Sequence, residues 1–195
     1  MRILGLTGPT GAGKGVVGAL LAARGAFIID TDRLAREVVA KGEPCLAALA
    51  AHFGQDILLD DGSLDRAALA AKAFADPREK AALEAITHPA IIARSQDLLR
   101  DCHAPLAVID APLLFESGMD AICHTTLAVL APAEVRLARI RTRDGIDETA
   151  ALRRMNAQPD DAFYRERADH ILNNDGNEAQ LEARLLSLLP QLWEE

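Results

Sequence analysis

Five short runs of apolar residues along the chain have the length of buried β-strands. They are residues 3–7, 26–30, 106–110, 126–130 and 170–173. Within each run the apolar residues follow one another rather than alternate with polar ones, which is typical of parallel strands covered on both faces. The pattern therefore predicts a five-stranded parallel sheet.

Between these runs, apolar residues recur with helical spacing. Residues 14–24 place Val16 and Val17 with two leucines on one helical face, and residues 132–143 and 178–189 show a similar pattern. Strands that alternate with helices in this way predict a three-layer α/β fold with the sheet in the middle.

Residues 31–105 separate the second and third predicted strands and are too many for one crossover helix. Their alanine-rich pattern predicts several short helices, at residues 34–39, 45–53, 66–74, 78–86 and 89–102. Ligands of parallel sheets bind at the carboxyl ends of the strands. We therefore expect a helical insertion of about residues 33–103 to hold a second substrate, within a single domain whose core is residues 1–32 and 104–195.

The first predicted strand runs directly into a glycine-rich turn that a helix follows. The turn, Gly8-Pro9-Thr10-Gly11-Ala12-Gly13-Lys14, matches the G-x-x-x-x-G-K pattern of a phosphate-binding P-loop. In such a loop, glycines let successive backbone N–H groups point at phosphate oxygens, and the lysine bridges the β- and γ-phosphates. The predicted ATP-binding residues here are Gly8, Gly11, Ala12, Gly13, Lys14, Gly15 and Val16, and Lys14 is also predicted to be catalytic.

The position after the P-loop lysine departs from the usual pattern. Most P-loops carry Ser or Thr there, and its hydroxyl binds Mg²⁺, whereas this chain has Gly15 followed by Val16. Adenylate kinases also have glycine at this position, so the change is compatible with kinase activity. The sequence therefore predicts a Mg²⁺ ion that is held without this hydroxyl.

Two aspartates lie at the ends of predicted strands, where carboxylates can face bound phosphates. Asp32 follows the second strand and can act as a general base or a Mg²⁺ ligand, or simply cap the next helix. Asp110 ends the third strand and is either a Mg²⁺ ligand of the Walker-B type or a turn-forming aspartate before Pro112. Position alone leaves both alternatives open for each residue.

Arginines share one face of the predicted helix after the fourth strand. Arg136, Arg139 and Arg143 have the spacing i, i+3 and i+7. We predict that Arg139 and Arg143 are catalytic arginines of a lid, about residues 136–168, that stabilise charge on the transferred phosphate. The alternative is a solvated helical face that pairs with nearby acids.

Composition and net charge argue against some classes of binding partner. Half of the 195 residues are hydrophobic and the net charge is −8, which argues against nucleic acid or an anionic membrane as the main partner. The three cysteines lack metal-ligand spacing and indicate free thiols in a reducing compartment. Without a recognisable signal peptide or a long apolar run, these features predict a cytoplasmic protein and leave the oligomeric state open.

Taken together, the motifs resemble those of the dephospho-CoA kinase family over nearly the whole chain. Besides the P-loop, the matching segments follow in the family's order: Asp30-Thr31-Asp32 with Leu34 to Val39, Phe53-Gly54, Asp61 to Arg66, His88-Pro89-Ala90-Ile91, Pro112 to Gly118, Arg143-Asp144-Gly145, Ala168-Asp169 and Asn173 to Gly176. The resemblance implies ATP- and Mg²⁺-dependent phosphorylation of the ribose 3′-hydroxyl of dephospho-CoA. It further implies Asp32 as the base, the insertion as the acceptor site, and Asn174, Asp175 and Gly176 beside the ATP base.

Two residues depart from the family pattern. Gly15 replaces the family's usual Ser or Thr. Tyr164 stands where the family leads us to expect arginine after the Ala157-Gln158 stretch, and Arg165 follows one place later.

Two other classes of protein compete with this interpretation. Another small-molecule or nucleoside monophosphate kinase would share the P-loop, the lid and the Asp-x-Asp segment. A GTP-hydrolysing switch protein would need an N-K-x-D sequence to read guanine, and the chain has none.

Overall fold

The computed structural model describes residues 1–193, which form two compact units. One unit contains Met1–Ile29 and the chain from Cys102 onward, and the other contains Asp30–Asp101. The first unit carries the P-loop and the segment predicted as the lid. The second is helical.

The first unit is built on a five-stranded parallel sheet, as the continuous apolar runs predicted. The strands are β1 (Arg2–Thr7), β2 (Phe27–Asp30), β3 (Leu106–Asp110), β4 (Thr125–Leu130) and β5 (His170–Asn173). Their order across the sheet is β2-β3-β1-β4-β5. Because β3 lies between β1 and β2, the carboxylate that ends β3 is the one adjacent to the P-loop strand, with Asp110 in register with Leu6.

Nine α-helices accompany the strands in residues 1–193. They are α1 (Lys14–Ala22), α2 (Thr31–Glu37), α3 (Pro44–Phe53), α4 (Arg66–Ala73), α5 (Pro77–Arg100), α6 (Ala133–Asp144), α7 (Glu148–Asn156), α8 (Asp161–Arg167) and α9 (Glu178–Trp193). Helices α2 to α5 make up the helical unit. The residues predicted as a lid comprise most of α6 and all of α7 and α8.

Apolar side chains fill both faces of the sheet. On one face, Leu4, Leu6 and Val108 pack with Leu21 of α1 and Leu185 of α9. Each such fully buried leucine or valine contributes about 1.5–3 kcal/mol of hydrophobic stabilisation. The other face holds a smaller cluster around Ala128, Leu130 and Tyr164. The three-layer arrangement follows from this burial on both sides.

Helix α1 turns a different face to the core than its spacing suggested. Its buried residues are Val17, Gly18 and Leu21, whereas Val16 is 40% exposed. The helix begins at Lys14, so Val16 lies in its first turn, beside the P-loop. The prediction that Val16 shares a buried face with Val17 is therefore wrong. Its exposure leaves it compatible with the predicted place near a nucleotide.

Helix α5 is longer than its sequence pattern predicted. The pattern predicted two helices that meet near His88 and Pro89, but a single 24-residue helix runs through both. Proline has no N–H and normally disrupts a helix interior. Here the neighbouring Thr87 hydroxyl donates a hydrogen bond to the Leu83 carbonyl at 2.9 Å. This bond does not replace the one that Pro89 cannot donate to the Ala85 carbonyl. The helix continues because Ile91, Ser95 and Leu99 after the proline are buried.

The cysteines are free thiols in protected surroundings. Cys45 is buried, and Cys102 and Cys123 are partly buried. Burial raises the pKa of Cys123 to about 12, so its thiol is not ionised near neutral pH and is a poor nucleophile. These observations favour a packing role for Cys123.

Candidate active site

The P-loop leads into the N-terminus of α1, and its glycines Gly8, Gly11 and Gly13 all have positive φ. Gly13 caps α1 in the left-handed region, with φ of 100°, and a Cβ there would overlap the Asn174 side-chain amide. Within residues 1–193, the N–H groups of Gly13, Lys14 and Gly15 have no hydrogen-bond partner in the protein. Unpaired donors at the start of a helix, next to its positive dipole, are suited to bind an anion.

Side chains from distant segments of the chain donate hydrogen bonds to carbonyls of the P-loop. Arg136 Nε donates to the Thr10 carbonyl at 3.1 Å. Arg139 Nη1 lies 3.3 Å from the Ala12 carbonyl, which also accepts from Asn174 Nδ2 at 2.7 Å. Buried backbone groups require such partners, so these three residues hold the loop in its observed conformation.

Arg139 therefore has a different environment from the one expected of a mobile lid arginine. Its guanidinium is half-buried and donates to the P-loop carbonyls and, at 3.3 Å, to Asn174 Oδ1. Because Asn174 itself binds Ala12, the three residues form one connected network. The network fixes Arg139 close to the predicted nucleotide site, against the loop that surrounds it.

Lys14 forms an ion pair with Asp110 at the end of β3. Both side chains are largely buried, at 18% and 17% exposure. A Cβ added to Gly18 in α1 would lie 3.8 Å from Asp110 Oδ2, so the carboxylate also faces the first turns of that helix. The pair places one carboxylate and one ammonium together beside the P-loop, where a Mg²⁺–phosphate complex needs both kinds of group.

The loop after β5 has its own anchor. Arg184 of α9 donates to the Asn173 carbonyl at 2.6 Å and pairs with Asp175. The hydrogen bond from Arg184 lowers the pKa of Asp175. Asn174, which is 4% exposed, points back to the P-loop. The segment predicted to lie beside the ATP base is thus attached to the P-loop at Asn174 and to α9 at Asp175.

The arginine at the end of α6 is positioned differently from Arg139. Arg143 is exposed and makes a two-pronged contact with its neighbour Asp144, at 2.7 and 2.9 Å. Arg154 of α7 pairs with the same carboxylate. The hydrogen bonds from Arg143 lower the pKa of Asp144. Arg143 is therefore a solvent-accessible cation that must exchange partners if it is to reach a phosphate.

Tyr164 is a buried residue of α8, at 1% exposure, and its hydroxyl has no hydrogen-bond partner among residues 1–193. Burial raises its pKa to about 12. The next residue, Arg165, is exposed and donates to Asn173 Oδ1 at 3.3 Å. The two side chains thus have separate environments, and Arg165 contacts the loop that follows β5.

The helical unit shows which aspartate caps α2. The Asp30 carboxylate accepts hydrogen bonds from the N–H groups of Asp32 and Arg33, at 2.9 and 3.1 Å. Asp32 is the second residue of the helix and is exposed. The alternative in which Asp32 is merely the helix cap is therefore wrong, because Asp30 performs that role.

Sequence reasoning missed the side chains that hold the P-loop from afar. Gln158 Oε1 accepts from the Thr10 N–H at 2.7 Å, across 148 residues of sequence. Arg136 was noted only as part of an arginine face, yet it is 6% exposed and binds Thr10. Gln158 was noted only as part of the Ala157-Gln158 stretch before the expected arginine, and nothing in that stretch points to the P-loop. The only signal for Arg136 was its place on that shared helical face.

A scan against family models matches residues 2–180 to the family described as dephospho-CoA kinase. The chain belongs to the dephospho-CoA kinase family. A dephospho-CoA kinase from Syntrophotalea carbinolica is 41% identical over 195 residues, which cover 98% of this chain and 92% of that protein. The resemblance and the class of enzyme that the motifs predicted are confirmed.

Solved structures share the fold of this member of the dephospho-CoA kinase family. The protein TT1252 from Thermus thermophilus has a TM-score of 0.83 and 37% identity, covering 98% of this chain and 97% of its own. Dephospho-CoA kinase from Campylobacter jejuni has a TM-score of 0.70 at 24% identity, covering 100% and 98%. The predicted fold class is confirmed by these matches and by the sheet.

Proposed function

We propose that the chain transfers the γ-phosphoryl group of ATP to the ribose 3′-hydroxyl of dephospho-CoA, giving coenzyme A and ADP. The observation that carries this proposal is the family match over residues 2–180, which includes an intact P-loop. This is the last step of coenzyme A biosynthesis. The reaction needs a nucleophilic hydroxyl, an acceptor for its proton, and positive charge around the transferred phosphoryl group.

The P-loop supplies the positive environment for the phosphates. Its inward N–H groups bind phosphate oxygens, and Lys14 bridges the β- and γ-phosphates as a compact charge. Because Lys14 is paired with Asp110, it must share its three donors between this carboxylate and the nucleotide. Arg139 and Asn174 support the loop from outside, and the loop after β5, with Asp175 and Gly176, borders the ATP base.

Asp32 is the proposed general base. It lies in the first turn of α2, after β2, and Asp30 rather than Asp32 caps that helix. A carboxylate that accepts the proton of the attacking hydroxyl makes the oxygen a better nucleophile as the bond to phosphorus forms. Asp32 is also a candidate Mg²⁺ ligand.

Mg²⁺ fits the chemistry of the residues near the P-loop. The ion usually binds through one or two carboxylates together with substrate phosphates and waters. Asp110 offers a largely buried carboxylate beside Lys14, and within residues 1–193 no group of three or more His, Cys, Asp or Glu side chains forms a dedicated metal site. When bound, the ion neutralises charge on the β- and γ-phosphates.

The acceptor is assigned to the helical unit, residues 30–101. A groove of about 380 Å³ in this unit is lined by Glu37, Glu43 and Asp97 together with Arg94. Three carboxylates against one arginine disfavour a pyrophosphate group. We therefore expect the pyrophosphate of dephospho-CoA to bind outside this groove.

The proposed cellular setting is the cytoplasm. No helix among residues 1–193 has the length and apolar character needed to cross a membrane. We place the enzyme in the cytoplasm, with small-molecule substrates and no nucleic acid as partners. The acidic balance of −8 supports the second part of this assignment.

An acceptor panel tests the function. ADP release from ATP and Mg²⁺ is measured with dephospho-CoA, AMP, other nucleoside monophosphates or shikimate as acceptor, and the phosphorylated product is identified by mass and by its 3′-phosphate. We expect turnover with dephospho-CoA and little with the others. Preferential turnover of AMP or another monophosphate would replace the proposal with the competing kinase class.

Arg143 is expected to act on the transition state. Arg143→Ala should lower kcat/KM by on the order of 10²-fold, because one charged donor to the transferred phosphate is lost, while ATP affinity changes much less. The matched control is Arg141→Ala on the same helix, where the arginine is exposed and pairs with Glu148 at 3.2 Å. Steady-state kinetics and ATP binding are measured for both variants. Equal losses in kcat/KM and in ATP affinity for Arg143→Ala would instead indicate simple nucleotide binding.

Restoring the hydroxyl after the P-loop lysine is expected to improve metal use. Gly15 lies in α1, and a Cβ added there meets no other atom within 4 Å, so serine fits the backbone. Gly15→Ser should remain active and need less free Mg²⁺ for half-maximal rate, since its Oγ reaches the β/γ-phosphate region. Rate is measured against Mg²⁺ at fixed ATP, with Ala19→Ser on the same helix as the control. A folded but inactive Gly15→Ser protein would show that the phosphates need the space of a bare backbone.

A further inference from the structure

Thr10 is the P-loop residue that the rest of the unit holds by both backbone groups. Its N–H donates to Gln158 Oε1 at 2.7 Å, and its carbonyl accepts from Arg136 Nε at 3.1 Å. Gln158 lies between α7 and α8, whereas Arg136 lies in α6. Two separate segments of the predicted lid therefore meet at one residue of the phosphate-binding loop.

The two segments are also tied to each other. Arg136 is 6% exposed, and its Nη1 lies 3.3 Å from Asp161 in the first turn of α8. The buried Tyr164 of α8 is close enough for the Arg136 charge to affect its pKa. Arg136 thus links the Thr10 carbonyl to the first turn of α8. Gln158 links the Thr10 N–H to the loop between α7 and α8.

We infer that Gln158 is a positioning residue that couples the α7–α8 segment to the P-loop. The inference rests on the proposed function to the extent that a nucleotide binds this loop. The Gln158 oxygen satisfies the Thr10 N–H, so that the loop keeps the curl in which the N–H groups of Gly13 to Gly15 face the phosphates. Without that acceptor, the Thr10 amide must find water or another carbonyl, and the loop spends less time in the binding conformation. The apparent affinity for the nucleotide falls in proportion to the fraction of molecules that hold the binding conformation.

The coupling acts in both directions. A nucleotide that favours the curled P-loop also favours the arrangement in which Gln158 and Arg136 contact Thr10, and it therefore makes the α7–α8 segment more ordered. Arg154 lies in α7 and shares Asp144 with Arg143, which precedes the segment at the end of α6. Phosphate occupancy is in this way communicated to the helices that carry the exposed arginines.

Two substitutions of equal length separate the hydrogen bond from the bulk of the side chain. Gln158→Met keeps the length and removes the strong acceptor, whereas Gln158→Glu keeps an oxygen that can accept from the Thr10 N–H. Gln96→Met is the control, because Gln96 is exposed on α5 in the helical unit. ADP is the probe, so that the measurement needs no acceptor substrate. Affinity is measured by calorimetry, and backbone hydrogen exchange is followed with and without ADP.

In the unmodified protein we expect ADP to slow exchange in residues 8–16 and in residues 148–167. Gln158→Met should weaken ADP binding by about 3–10-fold, the effect of one neutral hydrogen bond, and should lose most of the protection in residues 148–167. Gln158→Glu should keep that protection, and its ADP affinity should recover as salt screens the added charge. Melting temperatures of all variants should stay close to one another.

The inference is overturned if Gln158→Met binds ADP like the unmodified protein and shows the same ADP-dependent protection. It is also overturned if the Met and Glu variants lose protection equally, because the acceptor oxygen would then be irrelevant. Failure of the unmodified protein to bind ADP would refute nucleotide binding itself. Failure to phosphorylate dephospho-CoA alongside normal ADP binding would refute only the proposed acceptor and leave the role of Gln158 intact.

Discussion

Lys14→Ala is expected to lower kcat/KM by at least ~10²–10³-fold, the effect of removing one preorganised donor from developing charge. Lys14 is the first residue of α1 and the only P-loop side chain with a charge. The N–H groups of the loop remain in the variant, so that a weakened nucleotide affinity should persist. Turnover with dephospho-CoA and ADP affinity are measured together.

The control for this experiment comes from the ion pair with Asp110. Both members are largely buried, and removing one partner of a buried pair destabilises a protein because the other charge remains. Thermal unfolding must therefore show that Lys14→Ala is folded at the assay temperature. Lys80→Ala, on an exposed part of α5, is the matched lysine control. A folded Lys14→Ala protein with near-normal turnover would contradict the assignment.

Asp110→Asn separates the two roles of that pair. The substitution removes the charge that competes with phosphate for Lys14, and it also removes a carboxylate that Mg²⁺ can use. Comparing ADP affinity with and without Mg²⁺ distinguishes the two consequences, since only the loss of the metal-binding carboxylate depends on Mg²⁺. The same measurement on Lys14→Ala gives the reference for loss of the ammonium.

Local sequence patterns were enough to predict the strands and the P-loop. The continuous apolar runs placed all five strands within one or two residues of the observed ends, because a strand buried on both faces has no polar alternation to obscure it. The P-loop is a contiguous motif whose conformation depends on its own glycines, such as Gly13. Its phosphate-binding role could therefore be inferred before any tertiary contact was known.

The supporting contacts could not be predicted in this way. Asn174 reaches Ala12 across 162 residues, and Gln158 reaches Thr10 across 148. Neither residue belongs to a periodic pattern that points at the P-loop. Their roles follow from the sheet order, in which β4 and β5 lie on one side of β1, and strand order is set by packing over the whole chain. The position of β3 between β1 and β2 cannot be derived from local patterns for the same reason.

Helix α5 shows a different limit of local reasoning. Proline at position 89 predicted a helix boundary, since the residue before proline disfavours helical backbone. Tertiary packing overrides that preference, because Ile91, Ser95 and Leu99 after the proline are buried on the helix that Pro77 begins. A preference of a few kcal/mol is outweighed when several buried side chains depend on helix continuity.

Asp32→Asn is expected to lower kcat by ~10²–10⁴-fold, the usual contribution of a general base. Asparagine keeps the shape and the exposed position of the side chain but cannot accept the hydroxyl proton. ATP affinity should change little, since binding of the phosphates is assigned to the P-loop. Single-turnover rates with dephospho-CoA and ATP binding are measured on the same preparation.

A purely structural role for Asp32 makes a different prediction. As an acidic residue in the first turn of α2 it interacts favourably with the helix dipole, which is worth about 0.3–1 kcal/mol. Loss of that interaction would lower the melting temperature and leave kcat unchanged. Asp30→Ala is the matched control, because it removes the cap itself and should cost ~1 kcal/mol of stability.

The Mg²⁺ dependence distinguishes a base from a metal ligand. If Asp32 held the metal, a higher Mg²⁺ concentration would restore much of the rate of Asp32→Asn by mass action. A missing base is not replaced by more metal, so we expect the rate to stay low at every Mg²⁺ concentration. A variant that retained kcat would exclude Asp32 as the base.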